Sequence, residues 1–312
     1  MRCRILLLAA AIVPAASGAV GAAPPELGTW TREPVVLSDV AVNNPDIVAL
    51  GGGQFRMYFM RSGQIESAFS ADEGDNFGVE VGIRVDGQHP ALVVLPDGRL
   101  RMYFVSNDVA DDGAIRSALS DDGLTFVQEP GIRLRPGDKG TIDSRGVIHL
   151  CVVKLKGGGY RMYYDAVGPS QGGSPNWRGI VSATSEDGLR FRKDDGVRIK
   201  AGRDPIGFAN MVWSPFVERY PRGYKLYFSV ETDLDVAKAR AGIYLATSDD
   251  GLGFRVRDRI LGIDPAVTAP TYVDGGMQGL PQDAFVIDVT GGRRIFYWQA
   301  QEGTFSAFLA LA

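Results

Sequence analysis

A five-bladed, all-β propeller is the architecture this 312-residue sequence predicts, on three observations. Five segments end alike: Arg56-Met57-Tyr58-Phe59, Arg101-Met102-Tyr103-Phe104, Arg161-Met162-Tyr163-Tyr164, Lys225-Leu226-Tyr227-Phe228 and Arg294-Ile295-Phe296-Tyr297. After four of them comes a second shared block, at 67–77, 117–126, 182–191 and 245–254, which passes through an aspartate-glycine turn and ends in phenylalanine. A fixed order of motifs recurring every 45 to 70 residues or so marks propeller blades. The fifth repeat has only three strand-like runs, whereas residues 30–37 precede the first repeat and belong to none. That segment is expected to serve as the outer strand of the last blade and so close the ring, hiding edge groups that an open sheet would expose. Pro34 suits such an edge position.

Each blade reads as four antiparallel strands. Counting back twelve positions without gaps from the Arg or Lys of each Arg-Met-Tyr motif gives Asn44, His89, His149, Trp213 and Gln282, and four positions further on every repeat has valine: Val48, Val93, Val153, Val217 and Val286. The apolar first strand turns back through Gly51-Gly52-Gly53, Pro96-Asp97-Gly98, Gly157-Gly158-Gly159, Pro221-Arg222-Gly223 or Thr290-Gly291-Gly292, residues that supply the φ angles tight connections need. In the second strand, alternation puts Met57 and Phe59 on one face and Tyr58 on the other, as blades packed against blades require. A Ser-Ala-x-Ser type third strand follows. Asp72, Asp122, Asp187 and Asp250 are then expected to cap the amides of the turns leading to the fourth.

With 45% hydrophobic and 22% charged residues the chain has material for one large core, and a single domain over 24–312 is expected. Met1-Arg2-Cys3-Arg4, an apolar run from Ile5 to Val13 and small residues through Ala23 form the three zones of a signal peptide over 1–23, with cleavage near Ala19 to Ala23. A secreted or periplasmic monomer follows. Cleavage would leave Cys151 as the sole cysteine, buried and unreactive, so packing rather than a disulfide must hold the mature fold. A formal charge of -4 offers no basic surface for nucleic acid or anionic membrane. No cofactor is implied.

This pattern resembles the five-bladed propellers of glycoside hydrolase families 43, 32, 68 and 130, and the Ser-x-Asp-x-Gly-x-x-Phe turns resemble the Asp-box of sialidases. The resemblance covers nearly the whole mature chain. It implies a secreted carbohydrate-active protein with its site at an axial mouth built from the starts of the innermost strands, here the column Asn44, His89, His149, Trp213 and Gln282. Where family 43 has an Asp-Pro base, an Ile-Asp-Pro carboxylate and a Glu-Gly-Pro acid, this chain has Asn44-Pro45, His149-Leu150 and Trp213-Ser214-Pro215. All three carboxylates are missing, although glycoside hydrolysis ordinarily needs two carboxyl groups flanking the bond.

Replacements must lie on the mouth face, which admits Asp46, Asp108, Asp143, Asp165, Asp204, Glu231 and Asp283. Asp46 is the expected base, being two residues beyond Asn44 on the same strand face. Glu231 is the expected acid, just past the second strand of the fourth repeat and beside Trp213, where desolvation raises a carboxyl pKa. Asp143 is the third catalytic candidate. Ligand binding is expected of Asn44, His89, His149, Trp213, Gln282 and Asp283. His89 and His149, the only histidines, allow three readings: a polar lining of a watery channel, an acid/base or hydrogen-bonding pair, or, with Asp46, a divalent metal site. Trp213, Trp177 and Tyr272 offer flat faces for sugar rings, and the loops 167–178, 200–212, 232–240 and 262–281 are expected to wall the mouth. A glycan-interacting propeller with an atypical glycoside-cleaving site is the leading expectation; a non-catalytic carbohydrate- or small-ligand-binding propeller and a protein-interaction scaffold are the alternatives.

Overall fold

The computed structural model describes residues 28–37, 43–171, 174–201, 211–232, 237, 240–273, 276–300 and 302–310. The expected leader and its cleavage site lie outside them, as does Asp204. The described residues form 21 strands. In the first repeat, β2 (Asn43–Gly51), β3 (Gln54–Arg61), β4 (Gln64–Ser70) and the leading half of β5 (Gly78–Val94) pair in that order. The trailing half of β5 pairs with β6 (Leu100–Ser106), which continues into β7 (Ile115–Ser120) and β8 (Val127–Gln128), so one long strand fuses two four-stranded groups into a sheet of seven. The third repeat is β9 (Gly146–Lys154), β10 (Tyr160–Gln171), β11 (Ser174–Ser185) and β12 (Arg192–Lys193); the fourth is β13 (Met211–Tyr220), β14 (Gly223–Glu231), β15 (Gly242–Ser248) and β16 (Arg255–Gly262). After a ribbon of β17 (Tyr272–Val273) and β18 (Gly276–Met277), the fifth comprises β19 (Gln282–Val289), β20 (Gly292–Gln299) and β21 (Gly303–Ala310). Its fourth strand is β1 (Thr31–Leu37), antiparallel to β21, as residues 30–37 led one to expect.

First strands touch one another in a closed circuit, β2 with β5, β5 with β9, β9 with β13, β13 with β19 and β19 with β2. Between successive sheets lie five apolar cores, and the period-2 alternation of the second strands fills them. Met57 and Phe59 face the core shared with the fifth repeat while Tyr58 faces that shared with the second; Met102 and Phe104 then meet Tyr58, and Tyr103 reaches on to the third repeat. Full burial of such a ring contributes on the order of 2–3 kcal/mol.

The Arg and Tyr of the motif do more than pack: they hold the aspartate-glycine turn of the next repeat. Arg56 Nη1 donates to the Asp122 carbonyl (3.1 Å) and Tyr58 Oη to that of Gly123 (2.8 Å). Arg101 and Tyr103 do the same to Asp187 and Gly188, and Arg161 and Tyr163 to Asp250 and Gly251. Inside the turn, Asp122 Oδ1 accepts from the Leu124 and Thr125 amides, as expected. Glycine is obligatory at Gly188: φ is +73°, and a Cβ would lie 2.8 Å from both Arg101 Nη1 and Tyr103 Oη. The motif arginines are also anchored within their own sheets by a fourth-strand or nearby acid, Arg56 by Glu80, Arg101 by Glu129 and Arg161 by Asp194. In the fifth repeat Glu33 of β1 takes that place, accepting from Arg294 Nη2 (3.1 Å) and Ser306 Oγ (2.6 Å). The closing strand thus brings its own copy of the repeated polar contact.

One expectation about register is corrected. In the first three repeats Val48, Val93 and Val153 pair with Arg56, Arg101 and Arg161, eight positions on; in the last two Lys225 pairs with Glu218 and Arg294 with Ile287, seven apart. The hairpin turn is one residue shorter there. A gapless count therefore lands one residue early, at Trp213 and Gln282, and Val217 and Val286 match the other valines only by coincidence. Backbone geometry identifies the true column. Every first strand has a one-residue bulge, between Asn43 and Asp46, Gln88 and Ala91, Ile148 and Cys151, Trp213 and Phe216, and Gln282 and Phe285. Each bulge holds one non-glycine residue at positive φ: Asn44 (51°), His89 (52°), His149 (47°), Ser214 (49°) and Asp283 (53°).

Candidate functional site

The five left-handed residues and those just after them line one axial cavity of about 40 Å³, ringed by Asn44, His89, His149, Ser214 and Asp283. Left-handed backbone at a non-glycine residue costs on the order of 1 kcal/mol or more and persists only where surroundings impose it, which is characteristic of functional sites. Here it occurs five times around one axis.

Hydrogen bonds join the ring. Asp283 accepts from Asn44 Nδ2 (2.9 Å), from the Asn44 amide (3.3 Å) and from the Ser214 hydroxyl. The Ser214 amide donates to Asp165 Oδ1 (2.9 Å), and Asp165 Oδ2 lies 2.7 Å from His149 Nδ1. Asp165, midway along β10 and opposite Ile148, is fully buried; burial raises its pKa and His149 opposes that rise. With Asp165 ionised, Nδ1 carries the imidazole proton and Nε2 is left as the basic nitrogen. His89 stacks edge-on against His149, ring centres 4.3 Å apart, and burial, together with His149 and Arg178, holds its pKa well below the ordinary value. It is thus neutral at physiological pH.

Above the histidines stands a wall. The Trp213 ring meets His149 at 5.3 Å, and the Arg178 guanidinium lies 5.6 Å over that indole. Arg178 comes from an unexpected element: within 167–178, read from sequence as a loop, residues 167–171 and 174–178 are strand that lengthens the β10–β11 hairpin, with Val167 opposite Arg178. Glu231 ends β14 opposite Met211, buried, its carboxyl pKa raised by desolvation against the opposing pull of a hydrogen bond to Tyr272 and the charge of Arg178.

Of the sequence candidates, the ring gathers Asn44, His89, His149 and Asp283, adds the missed Ser214, and keeps Trp213 as wall rather than ring. Gln282 does not line the cavity; it is fully buried and pairs across the strand with Trp298. Asp46 lines the channel one step deeper, where Leu92 N donates to its Oδ2 (2.6 Å) and burial pushes its pKa up to about 7. Cys151 occupies the equivalent bulge position in the third repeat and makes the equivalent link, its Sγ accepting from the Val217 amide at 3.1 Å. Both tie one first strand to the next. Asp143 sits apart, in the seam between the second and third repeats, its carboxylate taken by Lys193 (2.5 Å), Tyr164 and Thr141. Asp108 caps a single 3-10 turn at the surface. Among the described residues no cluster of three or more His, Cys, Asp or Glu has the arrangement to hold a metal.

No family model matches this chain, and no curated protein does. Solved structures do. A thermostable family-43 glycoside hydrolase superposes with a TM-score of 0.63 at 15% identity over 86% of this chain and 88% of its own. An endo-arabinase from Bacteroides thetaiotaomicron gives 0.64 at 14% identity over 90% and 98%. A structure from the glycoside hydrolase family 130, in a study of enzymes that target β-1,2 mannosidic linkages in Candida mannan, gives 0.60 at 14% over 88% and 85%. At such identities the likeness is one of fold: this chain is a propeller of the kind that families 43 and 130 use.

Proposed function

We propose that the five repeats are the five blades of one closed, monomeric propeller domain spanning residues 24–312, exported to the periplasm or beyond behind the leader at 1–23, and that its mouth binds and cleaves a glycan. The circuit of first strands and the pairing of β1 with β21 support the blade count. The observation that carries the catalytic reading is the Asp165–His149 pair, a buried carboxylate spent on orienting an imidazole in the wall of the ring of strained residues. A ring that merely bound sugar hydroxyls would have no need of it.

In this mechanism His149 Nε2 takes a proton from water as the water oxygen bonds to the anomeric carbon. The glycosidic C–O bond breaks, and its oxygen leaves with the proton of Glu231, whose carboxyl pKa burial raises. Asn44, Ser214 and Asp283 hydrogen-bond sugar hydroxyls, and Trp213 offers a ring face. The family's acid and base chemistry is thus retained with other groups, which makes the site atypical.

Turnover on a panel of chromogenic glycosides, with affinity measured separately by calorimetry, tests this. Asp165→Asn and Glu231→Gln should each lower kcat by about a hundredfold or more while Kd changes little. The second reading, a carbohydrate-binding propeller without chemistry, is favoured by one feature: Asp165 and Asp283 have their oxygens occupied by protein donors. Binding by the wild type with no turnover on any glycoside would establish it in place of the first.

A further inference from the structure

We infer that the glycan this mouth receives carries a carboxylate, and that Arg178 is the residue that reads it. The inference rests on the mouth being a glycan site, as proposed above, and adds the chemical class of the ligand.

Arg178 stands on the part of the β10–β11 hairpin that has no counterpart in the first repeat. There the corresponding hairpin has closed at Arg61–Gln64, the pair that matches Ala166–Gly179, one step short of Arg178. Pairing with Val167 fixes its backbone, and the indole of Trp213 supports its guanidinium from one side. A stacked guanidinium keeps its in-plane donors available at the rim of the ring. Those donors are unspent. The motif arginines Arg56, Arg101 and Arg161 are each engaged by an acid, whereas among the described residues Arg178 donates no hydrogen bond and has no carboxylate within ion-pair distance.

Two further groups point to the same need. Trp213 Nε1 is shut off from solvent with no hydrogen-bond partner, and so is His89 Nδ1. Buried polar atoms left this way cost on the order of 1–3 kcal/mol each, and a native site tolerates them where a ligand completes them. Arg178, Trp213, His149 and His89 form one contiguous row through ring contacts of 5.6, 5.3 and 4.3 Å. The row presents a fixed cation, an orphaned indole N–H and a neutral imidazole, with Glu231, its carboxyl pKa raised by burial, nearby. A planar, bidentate anion on a sugar ring, a uronate carboxylate, satisfies the fork of a guanidinium and the indole donor together; a neutral hexose brings the guanidinium no carboxylate in contact.

The test is calorimetric binding of hexuronate oligosaccharides (galacturonate, glucuronate and mannuronate series), of the same chains carboxyl-reduced to neutral hexoses, and of O-sulfated neutral chains. Wild type, Arg178→Lys and Arg178→Met are compared after melting curves show that each variant is folded. The wild type should prefer one uronate series over its reduced form by about tenfold to a hundredfold, less so at high salt. Arg178→Met should abolish that preference and Arg178→Lys should keep part of it. Equal binding of acid and reduced chains by the wild type, a preference that survives Arg178→Met, or binding confined to sulfated chains overturns the inference while leaving the glycan reading in place. Failure of every chain to bind overturns the glycan reading and the inference with it.

Discussion

The two ends of this molecule treat repetition in opposite ways. At the turn end the same residues make the same contacts three times over: Arg and Tyr of one repeat hold the aspartate and glycine carbonyls of the next, with tyrosine distances of 2.8 Å at each junction. At the mouth the backbone repeats, a bulge with one residue near φ 50°, but the side chains are Asn, two His, Ser and Asp. Where side chains repeat, the contact is serving the fold. Where the backbone repeats and side chains diverge, five strained positions form a platform that presents four kinds of side chain.

Removing the closing strand strains this contrast most. Without residues 28–37 the fifth sheet loses its outer strand and Glu33, and β21 gains a bare edge. The melting temperature should fall by more than about 10 °C, and melting unchanged from wild type would mean that the ring does not depend on closure. Next comes Gly188→Ala, which adds a Cβ at φ +73° against Arg101 and Tyr103 and should cost about 2 kcal/mol. Gly157→Ala, with open space around it, is the control and should be close to neutral; equal effects would show that the turn contacts are incidental.

Asp46 gives a smaller, pH-dependent effect. Its pKa rises from an ordinary 3.8 to about 7 in the fold, so the folded protein retains a proton that the unfolded chain has released. Its contribution is therefore most favourable below about pH 4 and declines as pH rises through 7. Asp46→Asn, which keeps an acceptor for Leu92, should gain on wild type by a few degrees in melting temperature between pH 4.5 and pH 8. A constant difference across that range would show that the carboxyl is ionised throughout. The smallest effect is expected at the ring: His89→Gly relieves a left-handed residue and should stabilise by about 1 kcal/mol or less, while weakening ligand binding. Loss of stability on that change would mean that the histidine is there for the fold, erasing the distinction between the two ends.

Much of the fold was legible because its signal was repeated. Five copies of a basic-apolar-aromatic motif, four aspartate-glycine turns and one orphan segment at 30–37 led directly to the sheets, their alternation and the closing strand. The mouth was legible only in part. The count back from the motif holds for Asn44, His89 and His149 but crosses a hairpin turn, and loss of one residue there moved the fourth and fifth members to Ser214 and Asp283. Proline at 45, 90 and 215, directly after Asn44, His89 and Ser214, is a pattern that could have revealed the shift in the fourth repeat. The pairing of Asp165 with His149 depends on a bulge that no local propensity announces, and Arg178 was hidden because Gly168 and Pro169, which read as loop, pair as strand with Trp177 and Asn176.

Pairing β1 with β21 also orders events in time. Thr31 meets Phe308 and Glu33 meets Ser306, partners 273 residues apart in the latter case, so this junction cannot form until the residues of β21 have been made. Equilibrium cost is slight, since loop-closure entropy grows only with the logarithm of length, but contacts of such separation are slow to form. Until then each nascent sheet can dock on its predecessor while β21 keeps a free edge, a stage at which the growing protein is most open to pairing with a stranger. A first strand held in reserve for the fifth sheet makes the synthesis of β21 the event that lets that sheet be completed.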